Sequence, residues 1–234
     1  MDNPEQLLLL PLWYVVFLLS LTCHEAAHAL VAHLGGDDTA YALGQVTLNP
    51  VPHMQREPMG TMAVPVLTFF LTQPSWMMGW ASAPYDPYWE DRHPRRAALM
   101  GLAGPVANLA LFALGSAVLR AGVEIGIWTV AAESYSFSQL VAPVAEDARA
   151  LDAVARLASI LTFLNLVLFV FNLIPLPPLD GSQVLAGLFG PARRVRDALR
   201  ASMLGSLGGL VVAWSVFPYV FNPIWRLAEA ALFG

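Results

Sequence analysis

The chain has 234 residues, of which 57% are hydrophobic and 12% are charged, and its formal net charge at pH 7 is −5. Soluble domains carry about 25% charged residues, so this composition excludes an ordinary soluble protein and indicates a polytopic membrane protein. The acidic balance argues against a nucleic-acid partner, and Cys23, the single cysteine, excludes both an intrachain disulfide and a thiolate zinc cluster.

The first half of the chain contains two apolar runs separated by a segment of different character. Leu7–Leu34 is long enough to span the bilayer with some tilt. Thr39–Pro52 contains strand-forming residues between turn residues, which predicts a short β-hairpin or edge strand after the first helix. Met59–Trp80 is apolar but interrupted by Pro65 and Pro74, so we expect a broken or re-entrant segment rather than a straight span.

The second half supplies the remaining spans of the predicted bundle. These are Ala97–Arg120, Ala153–Ile174 and Ala201–Val220. The sequence therefore predicts an all-α polytopic membrane protein with about 5–6 membrane segments and one small β element. We expect a single integral-membrane domain over 1–234, with a catalytic core of about 7–181 and C-terminal membrane segments of about 182–234.

Two groups of arginines set the predicted orientation. They are Arg92, Arg95 and Arg96 before one span, and Arg193, Arg194, Arg196 and Arg200 before the last. Because positive charge concentrates in cytoplasmic loops, the first helix and Ala153–Ile174 should both run towards the cytoplasm. Met59–Trp80 must then begin and end on one side. We expect a multi-pass protein of a plasma membrane, with the ends of these two segments, and any site built there, towards the cytoplasm.

A metal-binding motif lies within the first apolar run. His24 and His28 are four residues apart and share one face of a helix, so both imidazoles can reach one metal ion. Glu25 can accept a proton from the attacking water. Ionisable groups at membrane depth are costly, which favours a functional interpretation. The alternative is that these side chains only form hydrogen bonds between helices.

Asp180 is the candidate third ligand. A catalytic zinc usually has three protein ligands. Asp180 follows a proline-rich turn at the inner end of Ala153–Ile174, and the predicted orientation places it at the depth of His28. The alternative is that Asp180 begins a turn or caps a helix starting at Ser182.

Four stretches of the chain together resemble the site-2 protease family, in its compact bacterial branch without PDZ or CBS modules. They are His24–His28, Gly44–Pro50, Gly101–Asn108 and Asn172–Gly181. The resemblance implies an intramembrane zinc endopeptidase that cleaves peptide bonds within or near transmembrane segments of single-pass or other helical membrane proteins. It implies one Zn²⁺ per chain, held by His24, His28 and Asp180 with Glu25 as general base.

The resemblance also implies roles for residues outside the ligand set. Asn172 matches a family asparagine that assists at the oxyanion. The substrate-binding strand corresponds to Val46, Thr47, Leu48 and Asn49. From the residues alone, Asn172 could instead satisfy backbone groups freed by the following prolines. Gly101, Gly104, Ala107 and the kink at Pro105 indicate a close-packing helix face. We therefore expect Asn108 to form an interhelical bond rather than to act in catalysis.

Other functions remain open at this stage. Ionisable groups inside helices also mark the ion pathways of transporters and channels, although these predict charges spread over several spans or inverted repeats. A catalytically inactive metal-binding membrane scaffold would keep the same motif. A metal hydrolase could also cleave an ester or a lipid amide in place of a peptide bond.

Overall fold

The computed structural model describes residues 4–72, 76–131, 136–145 and 147–234. In chain order its helices are α1 (Pro4–Leu34), α2 (Thr39–Ala42), α3 (Pro50–Arg56), a π-helical turn (Met59–Ala63) that continues into α4 (Val64–Leu71), α5 (Pro87–Arg92), α6 (Pro94–Glu124), α7 (Arg149–Asn172), α8 (Asp180–Leu188), α9 (Gly190–Arg200) and α10 (Met203–Phe233). The two strands are β1 (Trp128–Val130) and β2 (Val141–Pro143).

Four of the described helices are long and apolar enough to cross a membrane. They are α1 from Leu7, α6, α7 and α10, and a shorter apolar helix covers Met59–Leu71. The expected class, an all-α polytopic membrane protein, is confirmed. α10 has only 22% of its most apolar window buried, against 61% for α7, so α7 is central and α10 is peripheral.

The long helices alternate in direction. α1 and α6 are antiparallel, because His24 contacts Asn108 while His28, further along α1, contacts Met100. α6 and α7 are antiparallel as well, because Asn108 meets Asn165 and Gly115 faces Thr162. α10 returns along α7. The relative directions therefore agree with the prediction that α1 and α7 run the same way.

The apolar core lies between α1, α7 and α10. Its buried members include Trp13, Phe17, Ile160 and Phe163. Aromatic rings of α10 extend the core, since Phe221 packs edge-to-face on Phe163 with centroids 5.8 Å apart. α10 also approaches the turn before α8 at Gly209, where a Cβ atom would collide with the carbonyl oxygen of Pro177.

Met59–Trp80 folds back on itself, as predicted. The Trp80 backbone N–H donates to the Gly60 carbonyl over 3.1 Å, so the beginning and the end of the segment are neighbours. Inside the hairpin, the Met78 N–H donates to Thr68 Oγ1 over 3.0 Å. Pro65 lies at the start of α4, where proline is tolerated. Pro74, the other predicted break, lies outside the described residues.

The predicted β-hairpin or edge strand at Thr39–Pro52 is wrong. This segment forms α2, a series of turns and the start of α3. Asn49-Pro50 is a helix start, because the Asn49 side chain accepts a hydrogen bond from the Val51 N–H at 3.1 Å and proline occupies the first helical turn. The small sheet lies elsewhere, where β1 pairs antiparallel with β2.

Ion pairs join α9 to α5 on the side of the arginine groups. Arg196 and Glu90 are 5% and 7% exposed and form a buried ion pair, and Arg193 pairs with Asp91. Burial opposes the charge of Arg196, but the hydrogen bonds of Glu90 and Asp197 raise its pKa above the ordinary value. The two arginine-containing segments therefore lie together at one end of the bundle, as the predicted orientation requires.

Candidate metal centre and active site

The structure brings the three predicted ligands together. His24 and His28 follow one another along one face of α1, and their Nε2 atoms are 2.9 Å apart. Asp180 is the first residue of α8, and its Oδ2 lies 3.1 Å from His24 Nε2 and 3.4 Å from His28 Nε2. Two ligands of one tetrahedral zinc are separated by roughly 3.3 Å, given zinc–nitrogen bonds of about 2.0–2.1 Å. The three donor atoms are thus spaced for one metal ion.

The other ring nitrogen of each histidine meets an oxygen. His28 Nδ1 lies 2.6 Å from the Met100 carbonyl oxygen, which can only accept, so Nδ1 carries the proton. His24 Nδ1 lies 2.6 Å from Asn108 Oδ1 and donates to it. In the neutral imidazole, a proton on Nδ1 leaves Nε2 unprotonated, which is the tautomer that binds a metal.

Three acceptor atoms consequently face one another. Both Nε2 lone pairs and the Asp180 carboxylate oxygen converge in a space where both histidines are buried, 5% exposed for His24 and 6% for His28. Acceptors without a donor repel one another in a medium of low dielectric constant. The arrangement is stable when a cation lies between them.

Gly104 provides the space that such a cation needs. A Cβ atom built on Gly104 would stand 2.5 Å from His24 Nε2 and closer still to His28 Nε2. α6 therefore passes the two imidazoles with only backbone between. The residues present fit a zinc ion in ligand type, spacing and room.

Glu25 lies beside this site. It follows His24 in α1, is 4% exposed, and its Oε2 has no hydrogen-bond partner among the described residues. A buried carboxylate oxygen without a partner is costly unless a ligand or a water satisfies it. The position suits a base that accepts a proton from a water entering the site.

The two predicted asparagines have different surroundings. Asn108 is fully buried and links α6 to His24 and to Asn165 of α7, which confirms the predicted interhelical bond. Asn172 is half-buried at the end of α7, where its amide donates to the Leu168 carbonyl of its own helix over 3.0 Å. The following prolines free carbonyls nearer the end of α7 than Leu168, so this bond supports neither role, and the oxyanion role of Asn172 stays a prediction.

The predicted substrate-binding residues form an accessible turn rather than a strand. Leu48 is 69% exposed, Asn49 is exposed, and Val46 and Thr47 are half-buried. The Thr47 carbonyl accepts a hydrogen bond from His53 Nε2 over 3.1 Å. These contacts hold the turn in place but leave its role in substrate binding a prediction.

Sequence reasoning missed three contributors to the site. Met100 acts through its backbone carbonyl, and because every residue has one, the amino-acid type at position 100 does not indicate this contact. Ser20 and Asn165 are both fully buried and support Asn108. The available signal was a polar residue inside each of two apolar spans, since such residues find partners in neighbouring helices.

The fold and the site together define a multi-pass membrane protein with a buried set of metal ligands. The chain matches the family model described as Peptidase family M50 over residues 12–216 and belongs to that family. The resemblance to site-2 proteases is thereby confirmed. The protein is a zinc metalloprotease of this family, and its cofactor is Zn²⁺.

Two kinds of named relatives support this assignment. The chain is 36% identical over 223 residues to "Putative zinc metalloprotease YwhC" of Bacillus subtilis (strain 168), covering 95% of this chain and 88% of the relative. It is 30% identical over 178 residues to "Putative zinc metalloprotease Rip2" of Mycolicibacterium smegmatis, covering 75% of this chain and 56% of the relative. No solved structure matches the chain.

Proposed function

We propose that this protein is an HExxH-type endopeptidase that cleaves helical membrane proteins within or near their transmembrane segments. One observation carries the proposal. His24, His28 and Asp180 form a buried site whose three donor atoms come from two helices and lie within 4.8 Å of one another. The ligand-bearing part of α1 belongs to a helix apolar enough to cross the bilayer, which supports chemistry at membrane depth.

The residues divide the chemistry between them. His24, His28 and Asp180 would hold Zn²⁺, which when bound acidifies water and polarises the scissile carbonyl. Glu25 takes the proton of the attacking water and later delivers it to the leaving amine. The Asn172 amide would donate to the developing oxyanion, for which it has a second N–H besides the one that bonds to the Leu168 carbonyl.

The substrates proposed are single-pass or other helical membrane proteins in the lipid bilayer. A transmembrane helix hides its amide groups in internal hydrogen bonds, so it must unwind locally before cleavage. We assign the capture of the unwound segment to the turn Val46–Asn49, because Leu48 presents an apolar side chain there that is 69% exposed. No strand pairing is needed for such a contact.

We also propose that the site faces the cytoplasm. Asp91 on α5 and Arg193 on α9 pair at the end of the bundle that carries both arginine groups. Asp180 begins α8, the helix directly before α9. The positive-inside rule assigns this end to the cytoplasm. Cysteine accessibility of an Arg95→Cys variant in sealed vesicles tests the orientation, and labelling from the outer side would overturn it.

The test of the proposed function joins metal content to cleavage. We would measure zinc per chain in detergent-purified wild type and in Asp180→Ala, with Asp38→Ala as a control because Asp38 is exposed and lies outside the ligand set. All three proteins would then be reconstituted in vesicles with a panel of single-pass transmembrane reporter peptides. Wild type and Asp38→Ala should hold about one zinc and cleave a reporter, and Asp180→Ala should do neither.

Two results would contradict the proposal. Wild type that takes up no zinc after reconstitution would remove the metal site. Zinc-loaded wild type that leaves every transmembrane reporter intact but hydrolyses an ester or a lipid amide would place the activity in another class of hydrolase.

A further inference from the structure

A continuous chain of hydrogen-bonded side chains crosses the centre of the bundle and ends at the metal site. It runs from Ser20 of α1 through Asn165 of α7 and Asn108 of α6 to His24. Ser20, Asn165 and Asn108 are 0% exposed, although each lies in a helix apolar enough to span the membrane. Polar groups in such surroundings are retained when they are fully paired.

Both side-chain amides of this hydrogen-bonded series, those of Asn108 and Asn165, are paired with good geometry. Asn108 Nδ2 lies 2.8 Å from Asn165 Oδ1 and 3.3 Å from the Ser20 carbonyl. Asn165 Nδ2 lies 2.8 Å from Ser20 Oγ and 2.9 Å from the Leu161 carbonyl. The Ser20 hydroxyl in turn donates to the Val16 carbonyl over 2.7 Å.

The direction of these bonds is fixed by the acceptors at their ends. The carbonyls of Val16, Ser20 and Leu161 can only accept, so the groups facing them must donate. Asn165 therefore turns its NH₂ towards Leu161 and Ser20 and offers Oδ1 to Asn108. Asn108 must then donate through Nδ2, which leaves only its Oδ1 to face His24.

We propose that Asn165 and Ser20 are positioning residues, which act through Asn108 to hold His24 in the tautomer with Nε2 free for the metal. The proposal rests on the assignment of His24 as a ligand. If the Asn108 amide turned over, its NH₂ would face His24 Nδ1 and favour the tautomer with the proton on Nε2. That proton would point at Asp180 and block metal binding.

Only His24 needs this support from neighbouring side chains, as a comparison with His28 shows. Its Nδ1 donates directly to the Met100 carbonyl, whose position follows from the α6 backbone. His24 faces a side-chain amide, which has two possible orientations. Only the groups behind Asn108 distinguish between these orientations.

The experiment compares two substitutions of Asn165 that a purely structural role would rank in the opposite order. Asn165→Leu removes all its hydrogen bonds. Asn165→Asp keeps an oxygen that accepts from Asn108 Nδ2, so it preserves the orientation of Asn108 although it places an acid in the core. Thr162→Val is the matched control, because Thr162 is equally buried in α7 but its hydroxyl bonds, among the described residues, to the Ala158 carbonyl of its own helix alone.

The readouts are Zn²⁺ affinity of the purified protein by chelator competition, the absorption spectrum of the Co²⁺-substituted protein, and thermal unfolding of the metal-free protein. Asn165→Leu should bind Zn²⁺ about tenfold more weakly and alter the Co²⁺ spectrum. Asn165→Asp and Thr162→Val should stay within about twofold of wild type. Ser20→Ala is a smaller change and replaces Asn165→Leu in the test if that variant does not fold. It should also weaken Zn²⁺ binding.

Three outcomes would overturn the inference. One is an Asn165→Leu or a Ser20→Ala protein that binds Zn²⁺ as tightly as wild type. Another is an Asn165→Asp protein that binds no better than Asn165→Leu, which would reduce Asn165 to a packing role. Wild type that binds no Zn²⁺ would overturn the proposed function itself, a result distinguishable from the first two because the wild type is measured in the same series.

Discussion

Gly104 faces His28 so closely that no side chain fits between them. The Cβ position of Gly104 coincides with the space in front of His28 Nε2, and His24 Nε2 lies only 2.5 Å from it. The closeness of α6 to α1 at this point is what leaves room for an ion among the three ligands. Helix packing and metal binding therefore depend on the same missing methyl group.

Substitution of Gly104 by alanine should abolish zinc binding. The added methyl group would occupy the space in front of both imidazoles and push the ligands apart. Gly101→Ala is the control, because its Cβ would meet Gln183 Cβ at 3.3 Å, a contact that a small shift relieves. We would measure zinc per chain in both variants. A Gly104→Ala protein with stoichiometric zinc would show that the ion lies elsewhere.

Exchange of Glu25 for glutamine should separate catalysis from metal binding. The amide keeps the size of the buried side chain but cannot accept the proton of the attacking water. We expect cleavage of a transmembrane reporter to slow by about 10²- to 10⁴-fold while zinc content stays unchanged. Cleavage at the wild-type rate would assign the general base to another group.

Substitution of Asn172 by alanine decides between its two roles. If its amide serves the oxyanion, the rate constant for cleavage should fall about 10²- to 10³-fold at constant zinc content. If the amide only pairs with the Leu168 carbonyl, the variant should lose about 1 kcal/mol of stability and keep its rate. Single-turnover cleavage and thermal unfolding in detergent would be measured on the same preparation.

Two adjacent glycines of α10 should respond differently to alanine. At Gly209 a Cβ would collide with the Pro177 carbonyl, in the turn that leads to Asp180. Gly209→Ala should therefore lower both thermal stability and zinc affinity. At Gly208 an added Cβ would meet no other part of the described structure within 4 Å, and alanine there should stabilise the helix by up to about 1 kcal/mol. Equal behaviour of the two variants would show that α10 does not support the Asp180 turn.

Loss of the buried ion pair between Arg196 and Glu90 should be costly. Arg196→Ala leaves a carboxylate that is 7% exposed without its partner, which destabilises a protein by about 3–5 kcal/mol. Arg120→Ala, which removes an exposed pair with Glu124 and an exposed hydrogen bond to the Ala231 carbonyl, should cost clearly less, about 1 kcal/mol. Thermal unfolding would compare the two, and the double variant Arg196→Met with Glu90→Leu should recover much of the loss.

The metal ligands could be predicted because their signals are local. His24 and His28 are four residues apart on one helix, and Asp180 follows prolines at the end of a span. The chain of bonds behind His24 could not be predicted, since it depends on how α6 and α7 are rotated about their axes. Asparagine and serine also have many partners available to them, so their presence in a span does not identify which one they bind.

The error at Thr39–Pro52 has a similar cause. Tyr41, Val46 and Thr47 favour a strand, but a strand needs a neighbour with which to pair. The only described strand pair lies at Trp128–Val130 and Val141–Pro143. Asn49-Pro50 lies inside this segment and has the chemistry of a helix start. The Asn49 side chain accepts from the Val51 N–H, and the Asn49 N–H donates to Thr47 Oγ1.

The different anchors of the two histidines predict a pattern of sequence variation among functional versions of this protein. Position 100 supports His28 through a main-chain carbonyl, which every amino acid supplies. Saturation mutagenesis should therefore find many side chains accepted at position 100, limited only by the volume available. At positions 108 and 165 the support comes from side-chain amides, so the tolerated set there should contain few members besides asparagine. The positions that support His24 should thus tolerate fewer substitutions than the position that supports His28, although both histidines are metal ligands.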